Sequence, residues 1–288
     1  MNKNIVVDVP HDGTSGYDIA KDYLSVDEQT LSGGRDFGAR EIFLGHEWAL
    51  HEVVGECYRD LMDLNRVPRD SSPDGRFKTH GMCLDGSPPG VELWKSARIP
   101  GDVKIELQGL GRTYKLKLME ALNDTRARLI LFGHTMPHLG SGSSTSELAA
   151  GDTNALVSIG NGGDKDGEGS NLLLPAEQAQ FLRKKIETLL SQELGDDLLS
   201  ACTKESGDVV SLNDYSGRAS AKRYTPKSDN KRPSVLIEFN RSLIGHAEDP
   251  MFEALNQRGL KIDPVDRKES LHKIIGQALK VFQDKYLY

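Results

Sequence analysis

Two histidines, a glutamate and an arginine stand in this chain at positions suited to metal-assisted hydrolysis. Their segments are Pro10-His11-Asp12-Gly13, Asp63-Leu64-Asn65-Arg66, Gly133-His134-Thr135-Met136-Pro137 and Glu238-Phe239-Asn240-Arg241. A catalytic zinc site takes three protein ligands from His, Glu, Asp or Cys and keeps a fourth position for water. His11 and His134 offer two imidazoles, each followed within three residues by Gly or Pro. Glu238 follows Val235-Leu236-Ile237 and precedes Phe239, so its carboxylate is expected to be desolvated and raised toward the range of a general base. In that role it takes a proton from water and passes it to the leaving nitrogen; an ion pair with Arg241 is the competing role. Arg66 offers a planar guanidinium that grips a carboxylate through two parallel hydrogen bonds, with a surface salt bridge as the ordinary alternative.

The residues alone leave the third ligand open. His46-Glu47 followed by His51 looks like the HExxH motif, but that motif needs its histidines at i and i+4 on one helix face. On a helix expected over 42–62, His46 and His51 point roughly 140° apart at about 3.6 residues per turn. Glu47 and His51 share a face at i, i+4, and either reaches a metal or forms a solvated pair.

Elements with strand and helix patterns must bring these residues together. Short apolar, β-branched runs at 5–9, 129–132, 156–159 and 235–237 read as buried strands. A helix starts near Pro175, with proline at the first turn and Glu177 close behind, and runs to about Leu194. Another is marked by Leu271, Ile274, Ile275, Ala278, Leu279 and Phe282 at helical spacing. Strands alternating with helices predict an α/β fold with a mostly parallel mixed sheet covered on both faces. Such sheets carry their sites at the carboxyl ends of strands. His11 follows the first strand, His134 the second and Glu238 the last. Three stretches read as loops: 67–100, the Gly-rich pair 139–142 and 160–169, and the basic 216–233. With no composition break or repeat, residues 1–288 are expected to form one domain with long loops around the site.

The bulk composition narrows the classes. The chain has 288 residues, 37% hydrophobic and 27% charged, as in ordinary globular proteins. A net charge of −7 argues against a general nucleic-acid binder, which needs a basic face. No run approaches the length of a membrane span, and the short first strand, which carries Asp8, is unlike a secretory signal. Cys57, Cys83 and Cys202 are widely spaced, which suits reduced thiols in the cytoplasm better than a disulfide framework.

The same motifs resemble those of the N-formylglutamate amidohydrolase family and, more distantly, zinc carboxypeptidases and aspartoacylases. The family's Pro-His-Ser-Gly type motif is matched at 10–13, with Asp12 where serine is usual. Its Asp-Leu-Asn-Arg is intact at 63–66, its Cys-His-Ser-Met-Pro is matched at 133–137 with Gly133 for cysteine, and its Glu-Ile-Asn-Arg at 238–241. The resemblance runs in order from about residue 5 to 245. It implies a zinc-dependent, exopeptidase-like fold and one zinc ion held by His11, Glu47 and His134, with Glu47-Trp48 matching the family's acidic segment. It also implies Glu238 as base and Asn65 with Arg66 on a substrate α-carboxylate. Tyr215-Ser216-Gly217 with Arg218 is similar to the family's Gly-rich loop, which makes Gly217 and Arg218 a second substrate contact. The expected substrate is a small acidic N-acyl amino acid such as N-formylglutamate. A peptide or peptidoglycan fragment, as for a carboxypeptidase, and a non-catalytic binding homologue are the alternatives.

Overall fold

The computed structural model describes residues 3–65, 79–80, 83–84, 93–96, 99–136, 155–170, 172–195, 199, 209–213, 232–244 and 266–287. Among these, β1 (Ile5–Val9), β2 (Ala49–Val54), β5 (Leu129–Met136), β6 (Val157–Gly160), β7 (Val210–Leu212) and β8 (Ser234–Asn240) form one sheet in the order β2-β1-β5-β8-β6-β7. The short strands β3 (Thr79–His80) and β4 (Cys83–Leu84) pair separately as antiparallel neighbours. All pairings in the large sheet are parallel except β6 with β8. The carboxyl ends of β1, β5 and β8 therefore share one edge.

Side chains alternate between the two faces of each strand. Ile5, Val7 and Val9 of β1, Leu129 and Leu131 of β5, and Val235 and Ile237 of β8 enter one core. That core is closed by α3 (Ala39–Phe43), α5 (Ala176–Leu194) and α7 (Lys268–Tyr286). Val6 faces the other way, against α4 (Gly101–Asn123), which buries Val103, Leu107, Tyr114 and Leu118. Asp8 lies on that face too, and the Tyr114 hydroxyl donates to its carboxylate at 2.7 Å, so this buried polar group is satisfied. The remaining helices are short: α1 (Tyr17–Ala20), α2 (Glu28–Ser32) and α6 (Arg241–Ile244). Among the described residues no helix is long and apolar enough to cross a membrane.

The expected strands and the helices near Pro175 and Leu271 are present, with β5 and β8 longer than their apolar runs. The helix expected over 42–62 is not. α3 ends at Phe43, Gly45 turns the chain with φ 81°, and Ala49–Val54 forms β2, paired with the edge of β1. Edge pairing overrides the helical spacing there, as tertiary context commonly does. The long α4 has a blurred sequence signature, because Ile105, Leu116 and Met119 are apolar yet exposed and Gly109 and Gly111 interrupt it. The loop 160–169 follows β6, which runs against β8, so it lies at the sheet edge opposite the carboxyl ends of β1, β5 and β8.

Candidate metal centre

His11 stands just beyond the end of β1, and His134 sits within β5 in register with Glu238 of β8. Parallel neighbours in register project to the same face, so His134 and Glu238 lie side by side. The two imidazoles meet edge to face with ring centroids 5.1 Å apart. Between them lies Asp36, from the turn that precedes α3. One ligand atom from each of His11, Asp36 and His134 falls within 4.8 Å of the others, and all three residues are buried.

Two backbone crossings bring these pieces together. A Cβ on Gly13 would lie 2.1 Å from the Glu56 carbonyl carbon, and one on Gly55 would lie 2.0 Å from the Pro10 carbonyl oxygen. Only glycine admits that approach. The segments leaving β1 and β2 are laced by Gly55 N–H to Val9 O, Ser15 N–H to Glu56 O and Tyr58 N–H to Ser15 O. The second segment then delivers Asp63 beneath His11. The turn bearing Asp36 is held by its own N–H to His11 O (3.0 Å), by the Thr135 hydroxyl on Phe37 O (3.2 Å) and by Arg241 on Gly33 O (3.3 Å). α3 behind it packs Phe43 over Gly133, where any Cβ would come within 2.5 Å of the ring. The glycine that replaces the family's cysteine is thus required by packing.

The donor set suits a divalent cation. His11 Nε2 is 3.0 Å from Asp63 Oδ1; a carboxylate only accepts, so Nε2 carries the proton and Nδ1 keeps its lone pair. Asp36 Oδ2 lies 2.6 Å from His134 Nδ1 and 3.5 Å from His11 Nδ1. His11 Nδ1 and His134 Nε2 are buried without hydrogen-bond partners. Burial pushes Asp36 upward, yet the charge interactions and hydrogen bonds it makes with His11 and His134 outweigh this and hold the carboxyl well below the usual range. Two nitrogens, one carboxylate and unfilled nitrogen lone pairs match the ligand set of a catalytic zinc.

Charge nearby has the same sense. Arg59 Nη1 is 3.4 Å from Asp36 Oδ1 and the side chain stays partly exposed. Enclosure disfavours its charge, but Asp36, Asp63, Asp60 and Glu238 more than offset this and raise its pKa. Burial raises Asp60, Arg59 lowers it and Asp63 raises it again. The charges of four carboxylates thus act on one arginine. Asp12, beside His11, is pushed up to about 6 by burial, against the pull of the Arg40 backbone N–H and the Arg35 guanidinium.

The structure brings together His11, His134 and Glu238, with Asn65 linked to them through Asp63 Oδ1, which accepts from both His11 Nε2 and the Asn65 N–H (2.9 Å). Glu47 is not with them. It is exposed, ahead of β2, whose first residue Ala49 pairs with Ile5 at the amino edge of the sheet. Asp36 takes the acidic place instead. His51 is also elsewhere, 2.8 Å from Asp124. Arg66, Gly217 and Arg218 lie outside the described residues. Sequence reasoning missed Asp36, Asp63 as a partner of His11, and Arg59. The usable signal for Asp36 was an acid between Gly33-Gly34 and Gly38, where close turns gather polar groups.

A buried two-histidine, one-carboxylate cluster beside a strand-borne glutamate, at the carboxyl edge of a mostly parallel sheet, is a candidate hydrolase-type centre. The sequence model of the N-formylglutamate amidohydrolase family matches residues 3–245, and the chain belongs to that family of carbon–nitrogen hydrolases. Its fold is similar to that of the N-formylglutamate amidohydrolase from Ralstonia eutropha JMP134, at a TM-score of 0.62 and 17% identity, over 97% of this chain and 93% of that one. The gene product Atu2144 from Agrobacterium tumefaciens matches at a TM-score of 0.49 and 13% identity, over 98% and 92%. No curated protein matches the chain significantly.

Proposed function

We propose that this protein is a zinc-dependent amidohydrolase that cleaves the amide of a small acidic N-acyl amino acid, such as N-formylglutamate, and that its whole length forms one hydrolytic domain. The observation that carries this reading is the buried His11–Asp36–His134 cluster, whose His134 pairs in register with Glu238. His11, Asp36 and His134 would hold a single zinc ion. When bound, that ion supplies Lewis acidity, which activates water and polarises the amide carbonyl. Asp63 orients the His11 ring and keeps Nδ1 free of a proton. Glu238 accepts the proton of the attacking water and hands it to the departing nitrogen, so the amine leaves neutral. Arg59, 3.4 Å from Asp36 Oδ1, is assigned the role of donor to negative charge developing on the substrate oxygen.

The substrate carboxylate is assigned to Asn65 and Arg66, with Gly217 and Arg218 as a second contact. The support is the family motif together with the Asp63 turn that ties Asn65 to His11. A cytoplasmic setting goes with this reading, on the ground of three cysteines too widely spaced to suggest a disulfide framework.

The test is a panel of N-formyl, N-acetyl and N-acyl amino acids with acidic and neutral side chains, set against short peptides, on zinc-loaded protein. N-formylglutamate or a close acidic analogue should give the highest kcat/KM. Peptides turning over faster than every N-acyl amino acid would sink the substrate assignment. Elemental analysis should find one zinc per chain.

A further inference from the structure

Asp12 adjoins a proposed ligand, but its carboxylate points away from the cluster, into the segment that carries the other acid. It is 1% exposed. Its Oδ1 accepts from Arg35 Nη2 at 2.7 Å and its Oδ2 from the Arg40 backbone N–H at 2.9 Å. Its carbonyl accepts from Arg40 Nε at 2.9 Å. Arg40 Nη2 continues to Gly55 O at 3.1 Å and Glu56 Oε2 at 2.8 Å. The preceding residue, His11, receives the Asp36 N–H on its carbonyl. The dipeptide His11-Asp12 therefore grips the chain immediately before Asp36, at Asp36 and four residues beyond it.

We infer that Asp12 is the positioning residue that sets the acidic metal ligand: it fixes the turn from Arg35 to Arg40 so that Asp36 faces His11 and His134. This rests on the metal reading above and adds a residue to it. A ligand on an irregular turn has no ladder to hold it, and the two oxygens of one carboxylate supply the missing restraint from both sides. The Arg40 N–H is one of the unpaired donors of the first turn of α3, so the same bond starts the helix that packs Phe43 over Gly133. A neutral amide at this position offers one acceptor oxygen and turns an NH2 toward the other donor, and the single oxygen of a hydroxyl cannot stand at both carboxylate oxygen positions.

The experiment measures the zinc dissociation constant by competition with a chromogenic chelator, for the whole chain, alongside the melting temperature of the metal-free protein. The variants are Asp12→Asn, Asp12→Ser and Arg35→Gln. Outer-sphere partners of metal sites are worth about 10–100-fold in affinity. Asp12→Asn and Asp12→Ser should weaken zinc by that factor. Arg35→Gln, at a partly exposed residue, should weaken it by a smaller factor, and combining it with Asp12→Asn should add less than its effect alone. A merely structural Asp12 would lower the melting temperature and leave zinc affinity within about threefold of wild type in the folded variants; that result overturns the inference. Should an Asp12 variant fail to fold, unchanged zinc affinity in Arg35→Gln overturns it equally. Wild-type protein that binds no zinc overturns both this inference and the metal reading, whereas wild-type binding with indifferent variants overturns only this one.

Discussion

Two histidine pairs sit near opposite edges of the same sheet, and they are built for different ends. At the carboxyl edge His11 and His134 meet edge to face, with Asp36 between them and Asp63 behind His11. At the amino edge His46 stacks flat on His272 at 3.9 Å and on Trp48 at 4.6 Å, with interplanar angles of 11° and 12°. His46 Nε2 donates to the Ile42 carbonyl at 3.0 Å, and Trp48 Nε1 donates to Gly276 O at 3.2 Å. Parallel rings aim their nitrogens side by side rather than at a shared point, and among the described residues no carboxylate completes a metal-binding group with them. Proximity of histidines does not make a ligand set. Ring orientation and an interposed acid do, and in their absence the stack joins α3 and β2 to α7.

The largest test of this contrast is His11→Ala beside His46→Ala. Elemental analysis should find zinc lost from the first and retained in the second; zinc loss from His46→Ala alone would reverse the two roles. Next, Glu238→Gln should keep its zinc and lose about 10²–10⁴ in kcat, the usual worth of a general base. Near-wild-type turnover there removes Glu238 from the chemistry. Asp63→Asn, which replaces the charged acceptor of His11 Nε2 by a neutral amide that can also donate, should weaken zinc by about 10–100-fold in the chelator competition.

Smaller effects fall on stability. Gly133→Ala drives a methyl into Phe43 and should cost about 1–3 kcal/mol by urea unfolding, with part recovered in the Phe43→Leu background. At the amino edge, burial and then the neighbouring His272 charge lower His46 to about 4 from 6.5, against the Ile42 carbonyl. Between those values the unfolded chain binds more protons than the folded one, so stability is present above about 6.5 and is lost as pH falls toward 4. The slope is at most about 1.4 kcal/mol per pH unit. His46→Phe keeps a stacked ring and should flatten the urea midpoint between pH 7 and 5 relative to wild type. An unchanged difference between the two pH values would assign the slope to other groups.

The members of the candidate cluster whose convergence was legible in the sequence share one property. His11, His134 and Glu238 follow or lie within apolar strand runs, whose local pattern marks both burial and direction. Asn65 was readable from an intact motif, and its tie to His11 through Asp63 gives that motif a physical basis. Glu47 failed because a helix was expected where β2 pairs with β1, and the strand carries the preceding residues to the far edge. Asp36 and Arg59 were illegible because neither lies on a periodic element. Their positions depend on glycine crossings and polar clamps between segments distant in sequence.

Apolar periodicity alone determined the strands, the long helices near Pro175 and Leu271, and the edge to which two histidines and a glutamate belong. That much is local, since alternation and helical spacing report which side of an element is buried. Which acid completes the cluster was decided by tertiary structure. The close passage of Gly13 against Glu56 and Gly55 against Pro10, the Phe43 ring over Gly133 and the grip of Asp12 on Arg35 and Arg40 bring Asp36 between the histidines. Such contacts form only when the sheet is assembled, and no short window of sequence contains both of their partners.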